Sequence, residues 1–394
     1  MHLLETYALN CGAKIDKPYI YEQYYPLGEE KYITIQPYSR HAGKQYIYWA
    51  EVINYIFPYL EKEGIKIVQL GDKEDKPVPR SIWTQGSTSL NQCAYILSHS
   101  MLHVGVDSFA AHMASGYGKK IVSLYSTTFL ENSKPYWSED EDFVGLEPDR
   151  TERKPSFQLE DKGKQAINEI KPEQIADRIL QMLGIESKIK FETLRLGEQY
   201  TKTYIHVVPS SVAALDQQIS FIVCRMDLDF NEPNLFQQLS RSQKVSIITD
   251  KPINKNLLLQ RMDNIQDIIY LMRDNNDIEF VDFLHKQKVN YVLVTKLKDK
   301  KLRDLKLKYL DYNFIFEKQE NYSNRKEILE VGMDNLYYKS NIRILKDGKY
   351  YPSVAALKKN QPLEDLFDPD VYKVIDSKYF WEDLEDFYLL KKVD

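Results

Sequence analysis

Residues 96–125, ILSHSMLHVGVDSFAAHMASGYGKKIVSLY, constrain the fold more than any other stretch. Met101–Val106 is a short apolar run, the length of a buried strand. Asp107 and Ser108 follow it, and their side-chain oxygens can accept from the free N–H groups at the start of a helix. Ala110, Ala111, Ala114 and Ser115 are small, so that helix can lie close on a sheet. Gly116 and Gly118 end it, with Lys119 and Lys120 near the negative end of its dipole. Ile121–Tyr125 is the next strand. Strand, helix and strand at this spacing make one crossover of a parallel α/β sheet, whose ligands gather at the carboxyl ends of the strands. A helix opening there points free backbone N–H groups at a bound anion.

The same alternation runs through the first 190 residues. Tyr32–Pro37 reads as a strand entering the loop Tyr38-Ser39-Arg40-His41-Ala42-Gly43-Lys44, followed by a helix from about 47 to 63. Such a loop suits a pyrophosphate: Ser39 and the backbone donate, Arg40 can hold two oxygens, and Lys44 supplies a point charge. Ile65–Leu70 is a second strand, ending in the acidic turn Gly71-Asp72-Lys73-Glu74-Asp75. A carboxylate in that place can accept from ribose hydroxyls. Ser87-Thr88-Ser89 caps the helix leading into 96–125. Residues 131–160, with Pro135, Pro148 and Pro155, read as an irregular polar excursion. Lys171-Pro172-Glu173 opens a helix that places Ile175, Ile179, Leu180 and Leu183 on one face and ends at Gly184. These elements define a first domain, 1–190.

A second α/β pattern occupies 191–325. Ile219–Cys224, Val245–Thr249, Ile268–Leu271, Val289–Val294 and Phe314–Phe316 read as strands. Helices start at Pro233 and lie near 254–261, 278–287 and 301–309. Asp227-Leu228-Asp229 is the exit loop of the first of these strands. Residues 326–394 form an extension. Its NIRILKDGKYYPSV reads as a hairpin with an Asp-Gly turn, and its SKYFWEDLEDFYLLKK as a terminal amphipathic helix that docks on the second domain or recruits a partner.

Several of these segments share a family likeness. Asp107-Ser108-x-x-x-His112 resembles the Asp-Ser/Thr-Gly-x-x-His signature of family 9 glycosyltransferases, the ADP-heptose:lipopolysaccharide heptosyltransferase group. Gly118-Lys119 matches the start of the family's Gly-Lys-Pro, and Thr128 the end of its Gly-Pro-Thr. Lys44 followed by Trp49 resembles the lysine and tryptophan that open the family's second domain. Phe109 departs from the family, standing where it has glycine. The second half resembles the family's first domain in pattern and spacing. The likeness therefore implies a GT-B-like α/β fold, two Rossmann-like domains with parallel sheets facing a cleft, in circularly permuted order. It implies donor-binding roles for Ser39, Arg40, Lys44, Glu74, Asp107, Ser108, His112 and Thr128. It also implies a general base in the Asp227–Asp229 loop, with Asp227 closer to the strand end. The reaction implied is inverting transfer of a sugar from a nucleoside-diphosphate sugar, ADP-linked by the family's habit, to an acceptor hydroxyl. No metal and no cofactor beyond the donor are expected.

Bulk properties narrow the partners. The 394 residues carry a net charge of −5, with 28% charged and 43% hydrophobic, which excludes a globally basic nucleic-acid binder. A local basic run from Lys286 to Lys308 is either a solvated helix face or a surface for an anionic acceptor; nucleic acid is the less favoured partner. Cys11, Cys93 and Cys224 lack metal or disulfide spacing, in keeping with a reducing compartment. No membrane-length apolar run or signal pattern is evident, so a cytoplasmic protein with no transmembrane segment is expected. Two further readings stay open: a non-catalytic nucleotide-sugar-binding protein, and a nucleotide-sugar epimerase of similar fold.

Overall fold

The computed structural model describes residues 1–149, 154–155, 165–212, 222–241, 244–273, 278–312, 315–318, 322–363 and 371–393. The chain is α/β and divides into two units, Met1–Thr193 with Val393–Asp394, and Leu194–Lys392. Among the described residues no helix is long and apolar enough to cross a membrane.

The first unit runs α1 (Leu3–Cys11), β1 (Tyr32–Gln36), α2 (Trp49–Lys62), β2 (Lys66–Gln69), β3 (Ile82–Trp83), α3 (Leu90–Ser98), β4 (Leu102–Val106), α4 (Phe109–Gly116), β5 (Lys120–Leu124), α5 (Leu130–Ser133), β6 (Phe143–Leu146) and α6 (Pro172–Met182). Its six strands form a parallel sheet in the order β3-β2-β1-β4-β5-β6. The central strands β1 and β4 are buried along their whole length, as expected of a sheet covered on both faces. The small residues of α4 do what their size suggests: Ala110, Ala111 and Ala114 are fully buried and pack with Val68 and Ile121. Gly105 allows β4 to approach β1, since a Cβ there would stand 2.7 Å from the Gln36 carbonyl oxygen. β6 is a correction to the irregular excursion expected after residue 131. Its four residues sit behind the acidic turn 139–142 and are recruited by pairing with β5 rather than by pattern of their own.

The second unit contains β7 (Phe191–Leu196, which begins at the boundary), β8 (Tyr204–Val207), β9 (Ile222–Arg225), α7 (Glu232–Arg241), β10 (Val245–Thr249), α8 (Lys255–Arg261), β11 (Ile265–Met272), α9 (Ile278–Lys286), β12 (Tyr291–Thr295), α10 (Asp299–Lys308) and β13 (Ile315–Glu317). It continues through α11 (Tyr322–Leu329), β14 (Leu336–Ser340), β15 (Ile342–Lys346), β16 (Lys349–Tyr351), α12 (Val354–Lys358), β17 (Tyr372–Lys373), α13 (Lys378–Glu382) and β18 (Phe387–Lys392). The large sheet has the order β13-β12-β11-β10-β9-β8-β15-β16, parallel except for the β15–β16 hairpin. That hairpin turns through Asp347 and Gly348, both with positive φ, as Asp-Gly in a two-residue turn demands. A smaller sheet has the order β17-β14-β18-β7.

From β8 to β13 each strand is added on the same side of its predecessor. Right-handed crossovers then put every connecting helix on one face. Leu235, Leu258, Phe280 and Leu305 from those helices join Ile247, Tyr270 and Leu293 in one core. Alternate residues on β10, β11 and β12 are only half-buried, so the other face is open to a different neighbour. The terminal helix expected over 377–392 is also corrected. Only Lys378–Glu382 is helical, and Phe387–Lys392 is a strand paired antiparallel with β14. Phe387, Tyr388, Leu389 and Leu390 are all buried, which a one-sided helix would not achieve.

Candidate active site

In the first unit the chain moves outward from β1 through β2 and β3, then returns beside β1 as β4 and continues to β5 and β6. The order reverses between β1 and β4. The carboxyl end of such a switch point is where α/β sheets bind their ligands.

Three exit loops meet at this point. The loop after β1 is anchored by Trp49, buried at the start of α2, whose indole N–H donates to the Pro37 carbonyl at 2.9 Å. It ends in a short turn, Ala42–Lys44. Lys44 Nζ reaches Asp107 Oδ2 at 2.6 Å and the Asp107 carbonyl at 3.3 Å. Ser108 donates its hydroxyl to Gln36 Oε1 at the end of β1. From the loop after β5, Ser126 Oγ donates to the Gly43 carbonyl at 2.5 Å. Packing is close at Gly43, where a Cβ would stand 3.0 Å from Thr127 Cγ2.

Asp107 is buried where these loops meet. Burial opposes its ionisation, but His112 and Lys44 outweigh that cost and hold its carboxyl below the usual value. His112 Nε2 stands 3.7 Å from Asp107 Oδ1, beyond hydrogen-bond distance. Asp107 therefore fixes the Lys44 amine and lies against the His112 ring. Ser108 is the N-cap of α4, yet its hydroxyl makes no bond to the helix, so the first-turn N–H groups have no side-chain cap. Those groups, the Lys44 amine and the half-exposed His112 are the anion-facing chemistry at this end of the sheet.

The other expected donor residues are spread around it. Ser39 is half-buried and its hydroxyl accepts from the His41 N–H at 3.3 Å. Arg40 is 98% exposed and lies 3.8 Å from Asp72. Glu74 is exposed, whereas its neighbour Asp75 is half-buried and folds back to accept from the Asp72 N–H at 2.8 Å. Burial raises the Asp75 carboxyl above its usual value, and burial and then Asp75 raise the Tyr38 hydroxyl, so Asp75 lies toward the β1 exit loop. Thr128 shares a 2.6 Å hydrogen bond with Ser133 and serves α5. Phe109 is helical and 38% exposed at the first position of α4. Gln36, Gly43 and Ser126 carry no sequence signal of their own, because their roles come from strands that meet only in the fold.

In the second unit, Asp227 lies in the turn after β9 and accepts from both Arg225 Nε and Arg225 NH2 at 2.8 Å. Both carboxylate oxygens are thus bound by one guanidinium. Asp229 is half-buried on the same turn, with no side-chain hydrogen bond or ion pair among the described residues.

Residues 9–163 match the sequence model of Glycosyltransferase family 9 (heptosyltransferase). That stretch holds Gln36, Lys44, Asp107, Ser108 and Ser126, the residues that join the three exit loops. Among solved structures, a glycosyl transferase family 9 protein from Veillonella parvula DSM 2008 is similar at 20% identity and TM-score 0.30, over 39% of this chain and 46% of that one. The E. coli ADP-heptose lps heptosyltransferase II is similar at 16% identity and TM-score 0.30, over 45% of this chain and 50% of that one. The similarity spans about half the length of these structures. No curated protein matches.

Proposed function

We propose that the protein is a glycosyltransferase whose first unit binds a nucleoside-diphosphate sugar at the β1/β4 switch point. The observation that carries this reading is the meeting of the uncapped amino end of α4 with Lys44 at the switch point, inside the segment that matches the family model. Lys44 and the α4 N–H groups would bear the diphosphate, stabilising the charge that grows on it as the sugar departs. Arg40, exposed on the β1 loop, can add a second cation. The sugar passes to an acceptor hydroxyl with inversion and without a metal ion. The donor half precedes the acceptor half, the reverse of the order usual in the family it resembles. Within the acidic turn of the second unit, Asp229 is the better base, because Arg225 already holds both oxygens of Asp227.

A thermal-shift panel of ADP, UDP, GDP and their sugars tests donor binding, since a ligand stabilises the folded state by mass action. Stabilisation that is lost in Lys44→Met is the expected result; a flat panel removes the donor site. Release of nucleoside diphosphate with acceptor extracts, compared with Asp229→Asn, tests transfer. A second reading, nucleotide-sugar binding without turnover, is favoured by Phe109 at the helix start, and binding without release would establish it.

A further inference from the structure

The basic run that begins at Lys286 takes no part in the transfer reading, and the fold gathers its two ends at one corner of the second unit. Nine lysine and arginine side chains stand between residues 286 and 311 against three aspartates, in a chain whose net charge is −5. α9 ends at Lys286 and leads into β12, while α10 starts after the carboxyl end of β12 and runs back to finish at Lys308. Both helices therefore end beside the amino end of the sheet. A ring contact joins the two ends: the His285 and Tyr312 centroids lie 5.7 Å apart. Asp227 and Asp229 follow β9, a strand parallel to β12, so they stand at the opposite end of the sheet.

Lysines at helix carboxyl ends have a local reason, since they offset the negative end of the dipole. The apolar residues among them have none. α10 turns Leu305 and Tyr309 into the core, which fixes its opposite face outward. Leu307 on that face is 64% exposed, and Leu310 in the turn after the helix is 75% exposed, more than any other leucine of the second unit among the described residues. Exposed Lys306 and Lys308 flank Leu307, and the His285–Tyr312 contact brings the turn with exposed Lys286 and Lys288 beside Leu310. Lys306 is tied to Glu317 at 2.6 Å, and Lys308 lies 5.5 Å from the Tyr309 ring. Lys286 and Lys288 have no ion pair or side-chain hydrogen bond among the described residues.

Cations around two solvent-facing leucines match a bilayer surface of anionic lipid: the ammonium groups draw in the headgroups and the leucines enter the acyl boundary. A nucleic acid would use the cations through its phosphates and leave the leucines in water. We propose that this corner of the second unit docks on an anionic membrane surface, with Leu307 and Leu310 inserted and Lys286, Lys288, Lys306 and Lys308 against the headgroups. The contact is peripheral and lies at the amino end of the strands, so it leaves the carboxyl end and the Asp227–Asp229 turn free. It goes beyond the transfer reading and does not depend on it, because docking here needs neither donor nor acceptor sugar.

The test floats the full chain with vesicles of phosphatidylcholine alone and with vesicles containing about one-third phosphatidylglycerol. Binding to the anionic vesicles only, weakened by added salt, is expected. A lysine at such a surface is worth about fivefold in affinity, so Lys286→Glu with Lys288→Glu should weaken binding by at least about twentyfold. Leu307→Ser with Leu310→Ser keeps every charge and should weaken it about tenfold, with thermal unfolding unchanged because both side chains are already exposed. Failure to bind the anionic vesicles would overturn the proposal, as would a leucine variant that binds them as tightly as the parent. A short DNA duplex is the second arm. Tighter binding to DNA than to the vesicles, unaffected by the leucine changes, would assign the corner to nucleic acid and overturn the membrane reading.

Discussion

Replacing Lys44 by methionine keeps most of the side-chain volume and removes only the amine. Asp107 then remains buried, its side chain 7% exposed, with the His112 imidazole 3.7 Å away. Breaking a buried ion pair typically costs about 3–5 kcal/mol, and because Lys44 is itself 17% exposed and His112 remains, about 2–3 kcal/mol is expected at pH 7. The loss depends on pH. The folded-state value of Asp107 is depressed, so the group adds stability above its unfolded value of about 3.9 and loses it as pH falls through the folded value. The gap between parent and variant should therefore be full at pH 7 and shrink below pH 4. Urea titration read by peptide-resolved hydrogen exchange follows β1 and β4 apart from the second unit. Adding Asp107→Asn should recover most of the loss, because it removes the stranded charge. An equal loss at both pH values, or no recovery in the double variant, would show that packing rather than charge holds these loops together.

Other perturbations have defined outcomes. Burial, and then Asp383, raise the Asp386 carboxyl to about 7, so the stability it contributes is full below about pH 4 and declines as pH rises to 7. Asp386→Asn should therefore stabilise the second unit by about 2–4 kcal/mol at pH 8 and by nothing near pH 4, read by urea unfolding through Trp381, the unit's one tryptophan. Gly105→Ala should cost about 1–3 kcal/mol, since the new methyl meets the Gln36 carbonyl, and should speed amide exchange in β1 and β4. Arg40→Ala should leave stability within about 0.5 kcal/mol while weakening nucleoside-diphosphate binding severalfold in calorimetry, because its side chain is 98% exposed.

The amino-acid sequence by itself determined the local elements. The apolar run at Leu102–Val106, the small residues of α4 and the stop after Gly116 are all readable as a strand and a helix. So are the capped start of α3 at Ser89 and the Asp347-Gly348 hairpin. These follow from side-chain size, capping and turn chemistry acting over a few residues. The same reasoning failed at Phe387–Lys392, whose apolar residues fit helical spacing. Pairing with β14, about 50 positions earlier, overrides it, and pairing is not a local property.

The candidate site divides in the same way. The residue types at Lys44, Asp107 and Ser108 were legible, because a cation and a helix start at strand ends suit an anion. Their mutual contacts were not. Lys44 meets Asp107 across 63 residues, and Ser108 meets Gln36 across 72, only because the sheet order places β4 beside β1. Strand order likewise leaves one face of the second sheet uncovered and brings Asp386 to it. Whether a carboxylate is paired, like Asp250 with Arg273 at the end of the neighbouring strand, or unpaired, like Asp386, depends on which strands become neighbours. Spacing along the chain carries no record of that choice, so only the tertiary structure decided it.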